Sequence, residues 1–370
     1  MDKISAADVT DDTQDWVADV AQGPAKPELV AEERRRGRGA RSNATGRFEA
    51  DRLLSLDDGW ESLGTLGAFR TEVREDRARS ILAWNDSPDI SFDRSINPYR
   101  GCEHGCIYCY ARPSHCYLGH SAGLDFETIL YAKTDAAALL EGELAKPGYA
   151  PEVIALGANT DPYQPIERER RITRAVLEVL ATTKHPVGIV TKSALVVRDI
   201  DLLAPMAAEG LASVAISVTT LDRRLARAME PRAATPQRRL DAIRKLRGAG
   251  IPVSVMMAPI IPGLTDHEIE AVLAAAQEAG ARDAGFVMLR MPREIKDLFR
   301  EWLAEEFPDR AKRVIGLVRA MHGGTDYISD FGHRQRGSGP YAAQIARRFH
   351  LARRRLGFGR RFRLRHHGRS

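Results

Sequence analysis

The sequence predicts an α/β protein built as a partial (β/α)6 barrel, and three observations carry that expectation. From about position 89 onward, short β-branched runs alternate with stretches of helical periodicity, the pattern of a parallel sheet with crossover helices. No Gly-x-Gly-x-x-Gly opens the first helix, which argues against a doubly wound dinucleotide fold. The apolar strands also recur evenly, as they do around a barrel.

The strand candidates are 128–133, 153–157, 187–191, 213–218, 253–261 and 285–289. Helices are expected over 135–145, 167–182, 199–209, 235–248, 267–279 and 293–306, with Gly250 and Gly280 placed as C-terminal caps. In such a fold, function collects at the C-terminal ends of the strands, where 159–161, Lys192, Thr219 and 259–266 fall.

The flanks differ from this body. Six Arg lie between Arg34 and Arg47, and residues 1–70 read as largely extended or disordered. Residues 71–340 form the predicted core, and 341–370 a C-terminal helix followed by an Arg-rich tail. The net charge of +5 is unevenly spread. Residues 331–370 hold twelve Arg and no Asp, Glu or Lys, leaving 43 basic residues against 50 acidic ones before position 331. The basic end, with Phe349, Phe358 and Phe362 interleaved among its arginines, suits local attraction of an anion such as nucleic acid; the alternative is a solvated end. No apolar stretch approaches the roughly 20 residues of a membrane span, and the acidic start lacks a secretory leader, so the expected address is the cytoplasm.

All four cysteines, Cys102, Cys106, Cys109 and Cys116, fall within fifteen residues. Disulfides between such close neighbours would constrain almost nothing, whereas thiolates on one loop can surround a metal centre. The order Cys102-x3-Cys106-x2-Cys109 supplies three thiolates to a cubane iron–sulfur cluster and leaves its fourth iron open. Gly101 and Gly105 free the backbone to wrap it. Two alternatives stand beside this reading: a zinc site helped by His104 or His115, and a four-thiolate cluster completed by Cys116. Either would suit a sensor or nucleic-acid-binding protein in place of an enzyme.

The motif, with aromatic Tyr108 before its last cysteine, resembles that of the radical SAM superfamily. The run 87–115, the segment 121–127, the basic residues around Arg38 before Gly46-Arg-Phe-Glu49, and Gly337-Ser-Gly-Pro-Tyr341 resemble a bacterial subgroup of it, the spore-photoproduct-lyase-like or "DNA repair photolyase" proteins. The resemblance implies a TIM-like partial barrel of the radical SAM type. It also implies a [4Fe-4S] cluster on Cys102, Cys106 and Cys109 that reductively cleaves S-adenosylmethionine to a 5′-deoxyadenosyl radical. An external electron donor such as flavodoxin or ferredoxin, and action on nucleic acid, follow as expectations; a small molecule or a protein side chain is the alternative substrate.

Further contacts to S-adenosylmethionine are implied at the strand ends. These are Tyr108, Asn159, Thr160 and Asp161 for its amino group and surroundings, Lys192 and Ser217 for carboxylate and ribose, and Ile261 against adenine. The stretch 158–161 carries no thiol where spore photoproduct lyase carries a hydrogen-donating cysteine. That leaves Cys116, Tyr110, Tyr117 or Tyr163 as candidate hydrogen donors.

Overall fold

The computed structural model describes residues 29–49, 67–359 and 364. In chain order it begins with β1 (Glu72–Glu75), β2 (Leu82–Trp84), β3 (Arg94–Ile96), β4 (Tyr99–Arg100), α1 (Asp125–Thr128), β5 (Ile129–Ala132) and α2 (Ala136–Leu144). Next come β6 (Ile154–Leu156), α3 (Glu167–Arg170), α4 (Ile172–Thr182), β7 (Val187–Thr191), α5 (Ile200–Ala208), β8 (Ala212–Ser217), α6 (Arg223–Met229) and α7 (Pro236–Gly248). The chain closes with β9 (Val253–Ile260), α8 (Ile269–Glu278), β10 (Asp283–Met288), α9 (Ile295–Glu306), α10 (Pro308–Ala320) and α11 (Gly339–Arg355).

The main sheet has the order β10-β9-β8-β7-β6-β3-β2. Six of its strands, β3 to β10 along that row, are parallel, and β2 adds an antiparallel edge to β3. The outer strands β10 and β2 do not pair, so the barrel is partial. A second sheet, β1-β5-β4, packs beside it.

Two sequence expectations are corrected here. The run 128–133 does contain a strand, but β5 belongs to the small sheet, paired with β1 and β4. The first strand of the half-barrel is β3, whose Arg-Ser-Ile carries too little apolar signal to be read as a buried strand. The helix expected over 167–182 is two helices, broken at Arg171, whose φ of 53° leaves the helical region. The helices α6 and α10 add to those expected.

Alternation along the strands sorts side chains by size. In β7 to β9 the bulky residues Val187, Ile189, Val214, Ile216, Val253, Val255 and Met257 are buried in the main core. Their neighbours Gly188, Val190, Ser213, Ala215, Ser254 and Met256, most of them small, point the other way and line a cavity. A barrel interior normally filled by layers of large side chains is therefore left hollow.

Loop chemistry fixes the helices. Asp222 accepts hydrogen bonds from the Arg224 and Leu225 amides to cap α6, and Thr235 caps α7 ahead of Pro236. Gly250 and Gly280 follow α7 and α8 at φ 83° and 104°, the left-handed position that a Schellman-type end requires. Residues 29–49 run as turns and extended chain across the body, with Arg38, Ala40, Arg41 and Ser42 buried. Residues 1–28 and 50–66, and the Arg-rich stretch after 359 apart from Leu364, lie outside the described residues.

Candidate active site

The cysteine loop leaves β4 through Gly101 and reaches a 3-10 helix at Arg112–Leu118. Gly101 and Gly105 have φ of 74° and 65°. A Cβ on Gly105 would lie 2.6 Å from Glu127 Oε2, so close approach as well as turn geometry demands glycine there. The Cys102 amide donates to Phe126 O (2.9 Å), that of Ile107 to Met229 O (3.0 Å) and that of Cys109 to Cys106 O (3.2 Å).

A buried ion pair holds the loop from behind. Arg112 donates to Glu127 Oε1 at 2.5 Å, while its Nε donates to Cys106 O at 2.9 Å. The Glu127 carboxylate also accepts the amides of Gly39 and Ala40, each at 2.8 Å, so the segment 29–49 straps the loop in place. Gln164 completes the support, its Oε1 accepting the Glu103 amide (2.9 Å) and its Nε2 donating to Gly101 O (3.2 Å).

Cys102, Cys106 and Cys109 all face one cavity of about 2150 Å³ that fills the concave side of the sheet. Burial pushes the Cys102 thiol well up, and the nearby Asp161, Cys106 and Cys109 push the same way. Burial and then Glu230 raise Cys106. Such a pocket disfavours bare thiolates and favours a cationic centre that neutralises them. Among the described residues no three His, Cys, Asp or Glu side chains lie close enough together to hold a single metal ion.

The structure brings Tyr108, Asn159, Thr160, Asp161, Lys192 and Ser217 to the walls of this same cavity. Asp161 lies 3.3 Å from His104 Nδ1 and accepts from Thr191 Oγ1 (2.6 Å) and the Lys192 amide (2.8 Å). Burial would raise its carboxyl, but His104 and these donors outweigh that and hold it at about 2. The Thr160 hydroxyl is already engaged with Tyr99 O at 2.8 Å, and the Asn159 amide donates to Asn97 Oδ1 at 3.0 Å. Lys192 Nζ lies 5.7 Å from the Tyr108 ring centroid and makes no ion pair among the described residues. The Tyr108 hydroxyl donates to Glu230, which is paired in turn with buried Arg239; Arg239 also donates to Ser217 O at 3.1 Å.

Ile261 and Cys116 are placed elsewhere. Ile261 is fully buried in the core around Trp302 and does not line the cavity; an apolar residue after a strand suits core and ligand wall equally, so its sequence could not separate them. Cys116 lies on the 3-10 helix, buried in the same cluster as Cys106, Ala40 and Ala122, and does not line the cavity. Tyr117 is exposed outside the cavity and Tyr163 is buried outside it. Tyr110 does line it, its hydroxyl donating to Ala158 O. Sequence reasoning missed Glu230, Arg239 and Gln164, whose spacings carry no motif. It met His104 only as a zinc ligand, although a histidine two residues after Cys102 offered a signal.

The open side of the half-barrel is bridged. Arg334 donates to Asp89 at 2.6 Å and to Ser87 Oγ at 2.5 Å, joining the loop between β2 and β3 to the segment that follows α10. Among the described residues no helix is long and apolar enough to cross a membrane.

A hollow parallel half-barrel, with three thiols on one loop at the C-terminal ends of its strands, defines an enzyme that works inside its own sheet. A family model of the Radical SAM superfamily matches residues 96–276. An uncharacterized protein of Mycobacterium tuberculosis is 38% identical over 232 residues, 62% of this chain and 68% of that protein. A radical SAM Nalpha-GlyT isomerase of Pseudomonas phage M6 is 26% identical over 213 residues, 54% of this chain and 42% of the phage protein. Among solved structures, a spore photoproduct lyase variant superposes with a TM-score of 0.50 at 16% identity, covering 77% of this chain and 79% of that one, a likeness of fold. The chain belongs to the radical SAM superfamily and is a radical SAM enzyme, a family that uses S-adenosylmethionine and an iron–sulfur cluster.

Proposed function

We propose that Cys102, Cys106 and Cys109 hold a [4Fe-4S] cluster whose fourth iron binds S-adenosylmethionine, and that the enzyme acts on nucleic acid. The observation that carries the first half is that the three thiols, with no fourth cysteine, face one cavity together with Asn159, Lys192 and Ser217. When bound, the cluster supplies the electron that breaks a carbon–sulfur bond of S-adenosylmethionine and so starts hydrogen abstraction.

The chain's own residues position the cofactor. Lys192 is free to pair with its carboxylate, and the Asn159 side chain faces the cavity as a partner for its amino group. Ser217, on the same cavity wall, serves the ribose in this reading. Asp161, pinned by His104 and Thr191, fixes the turn that carries Asn159. All four cysteines lie in one short stretch, so no second cluster is encoded and the electron comes from an external donor such as flavodoxin or ferredoxin.

The nucleic-acid half is supported by a cavity larger than one cofactor needs and by Arg282, Arg290 and Arg336 on its walls. The basic C-terminal segment adds to it. The test is anaerobic reconstitution, followed by EPR of the reduced protein with and without S-adenosylmethionine, chromatography for 5′-deoxyadenosine, and DNA and RNA binding. A cubane signal that shifts on adding the cofactor, with 5′-deoxyadenosine formed, is the expected result. A cluster indifferent to S-adenosylmethionine would overturn the first half, and absence of salt-sensitive nucleic-acid binding the second.

A further inference from the structure

We propose that Arg290 and Arg336 form a phosphate-binding subsite at the open edge of the cavity, where they hold the backbone of the nucleic acid. The identity of the phosphate bearer rests on the preceding reading; the anion site itself rests on geometry. Arg290 follows β10, the last strand, and its guanidinium carbon lies 5.0 Å from the ring centroid of Tyr110, which leaves the cysteine loop from the other side of the half-barrel. Arg290 Nη2 donates to Tyr327 Oη at 3.3 Å, while its buried Nε has no acceptor.

Arg336 lines the same cavity, is exposed, and makes no ion pair or side-chain hydrogen bond among the described residues. Most acids on the cavity wall are engaged: Asp89 is bound by Arg334, Asp93 by Arg94, Asp161 by His104 and Asp283 by Arg353, Glu152 is also engaged, and exposed Asp86 makes no ion pair with either arginine.

Two guanidiniums that make no ion pair among the described residues, one with an unmet donor and near an Asp89 carboxylate already held by Arg334, stand on neighbouring stretches joined by the Met288 amide donating to Gln335 O at 2.8 Å, and they suit the forked recognition of phosphate by arginine. Lys192 and Ser217, the residues assigned to S-adenosylmethionine, stand at the ends of β7 and β8, three and two strands away from the β10 edge. The subsite is therefore separate from the cofactor's own anion.

The experiment measures the affinity of the reconstituted full-length protein for inorganic pyrophosphate, for a labelled twelve-nucleotide single-stranded DNA and for S-adenosylmethionine, in the wild type, Arg290→Gln and Arg336→Gln. Each substitution is expected to weaken pyrophosphate and DNA by about tenfold, the loss of one charge-assisted contact, and to leave cofactor affinity unchanged. The slope of log affinity against log salt should fall by about one for each guanidinium removed. Since Arg336 has no partner to lose, its variant reads the site even if Arg290→Gln folds poorly.

DNA bound equally by wild type and variants would overturn the subsite and leave the nucleic-acid reading standing. Arginine-dependent pyrophosphate binding without DNA binding would keep the subsite and sink the nucleic-acid reading. Loss of cofactor affinity in Arg290→Gln, or failure of the wild type to bind either phosphate probe, would overturn the subsite.

Discussion

Glu127 Oε1 lies 2.5 Å from Arg112 Nη2, and both side chains are completely buried. The pair joins three stretches of chain: α1 through Glu127, the cysteine loop through the Arg112 bond to Cys106 O, and the strap through the Gly39 and Ala40 amides. Removing one member leaves the other charge buried and unmatched. Glu127→Ala should cost about 3–5 kcal/mol, read from denaturant unfolding of the cluster-free protein, whereas Glu127→Met with Arg112→Met should cost less than the two single changes together. Additive losses would mean the ion pair is not what ties these stretches.

Gly39 meets the cysteine loop at a distance no side chain fits. A Cβ there would come within 1.8 Å of Gly105 O, so Gly39→Ala must displace the strap or the loop. Gly37, at φ 74°, has open space around the same position, and its alanine variant pays only backbone strain, about 1–2 kcal/mol. Iron bound per protein after reconstitution should fall in the first variant and hold in the second. Equal iron contents would show that the strap does not support the loop.

Alanine at Cys102, Cys106 or Cys109 is expected to reduce 5′-deoxyadenosine formation to background, as each removes one of three thiols facing the cavity. Cys116→Ala should leave both the cluster and cofactor cleavage intact, because its sulfur is packed in the core behind the loop. Chromatography of the nucleoside product separates the two classes of variant. Loss of cleavage in the Cys116 variant, with its fold intact, would restore that residue to the chemistry.

His185 makes stability depend on pH. Burial lowers its folded pKa to about 4 from an ordinary value of 6.5, its Nε2 lying 2.8 Å from Tyr149 Oη. Below pH 6.5 the unfolded chain takes up a proton that the folded one refuses, so stability falls as pH drops from about 6.5 and levels off near 4. The drop amounts to about 3 kcal/mol. Denaturant titrations of His185→Gln should show a shallower decline across that window; an unchanged slope would remove His185 as its cause.

What the sequence disclosed follows the strength of local signals. The thiol spacing was legible because chemistry demands it, and β7 to β9 because their outward faces repeat Val, Ile and Met with period two. The strand β3 was hidden, since three residues reading Arg-Ser-Ile have their register set by pairing with Ile154–Leu156. The strap was read as extended or disordered from its arginines, but those arginines find partners far along the chain: Arg35 at Glu305, Arg41 at Glu306, Arg38 at Glu127 O. Asp161 lay in a quoted segment, yet its pairing with His104 depends on two loops meeting in space, 57 residues apart in sequence.

The strap also sets an order of events in time. Residues 35–42 leave the ribosome well before the acceptors that hold them, which are Glu127, 88 residues beyond Gly39, and Glu305 and Glu306, 270 and 265 residues beyond Arg35 and Arg41. The loop bearing the three thiols thus waits for α9 to be synthesised before its outer wall can close. Until then the side of the loop that the strap later covers stays open, and it closes only when the strap docks against α9.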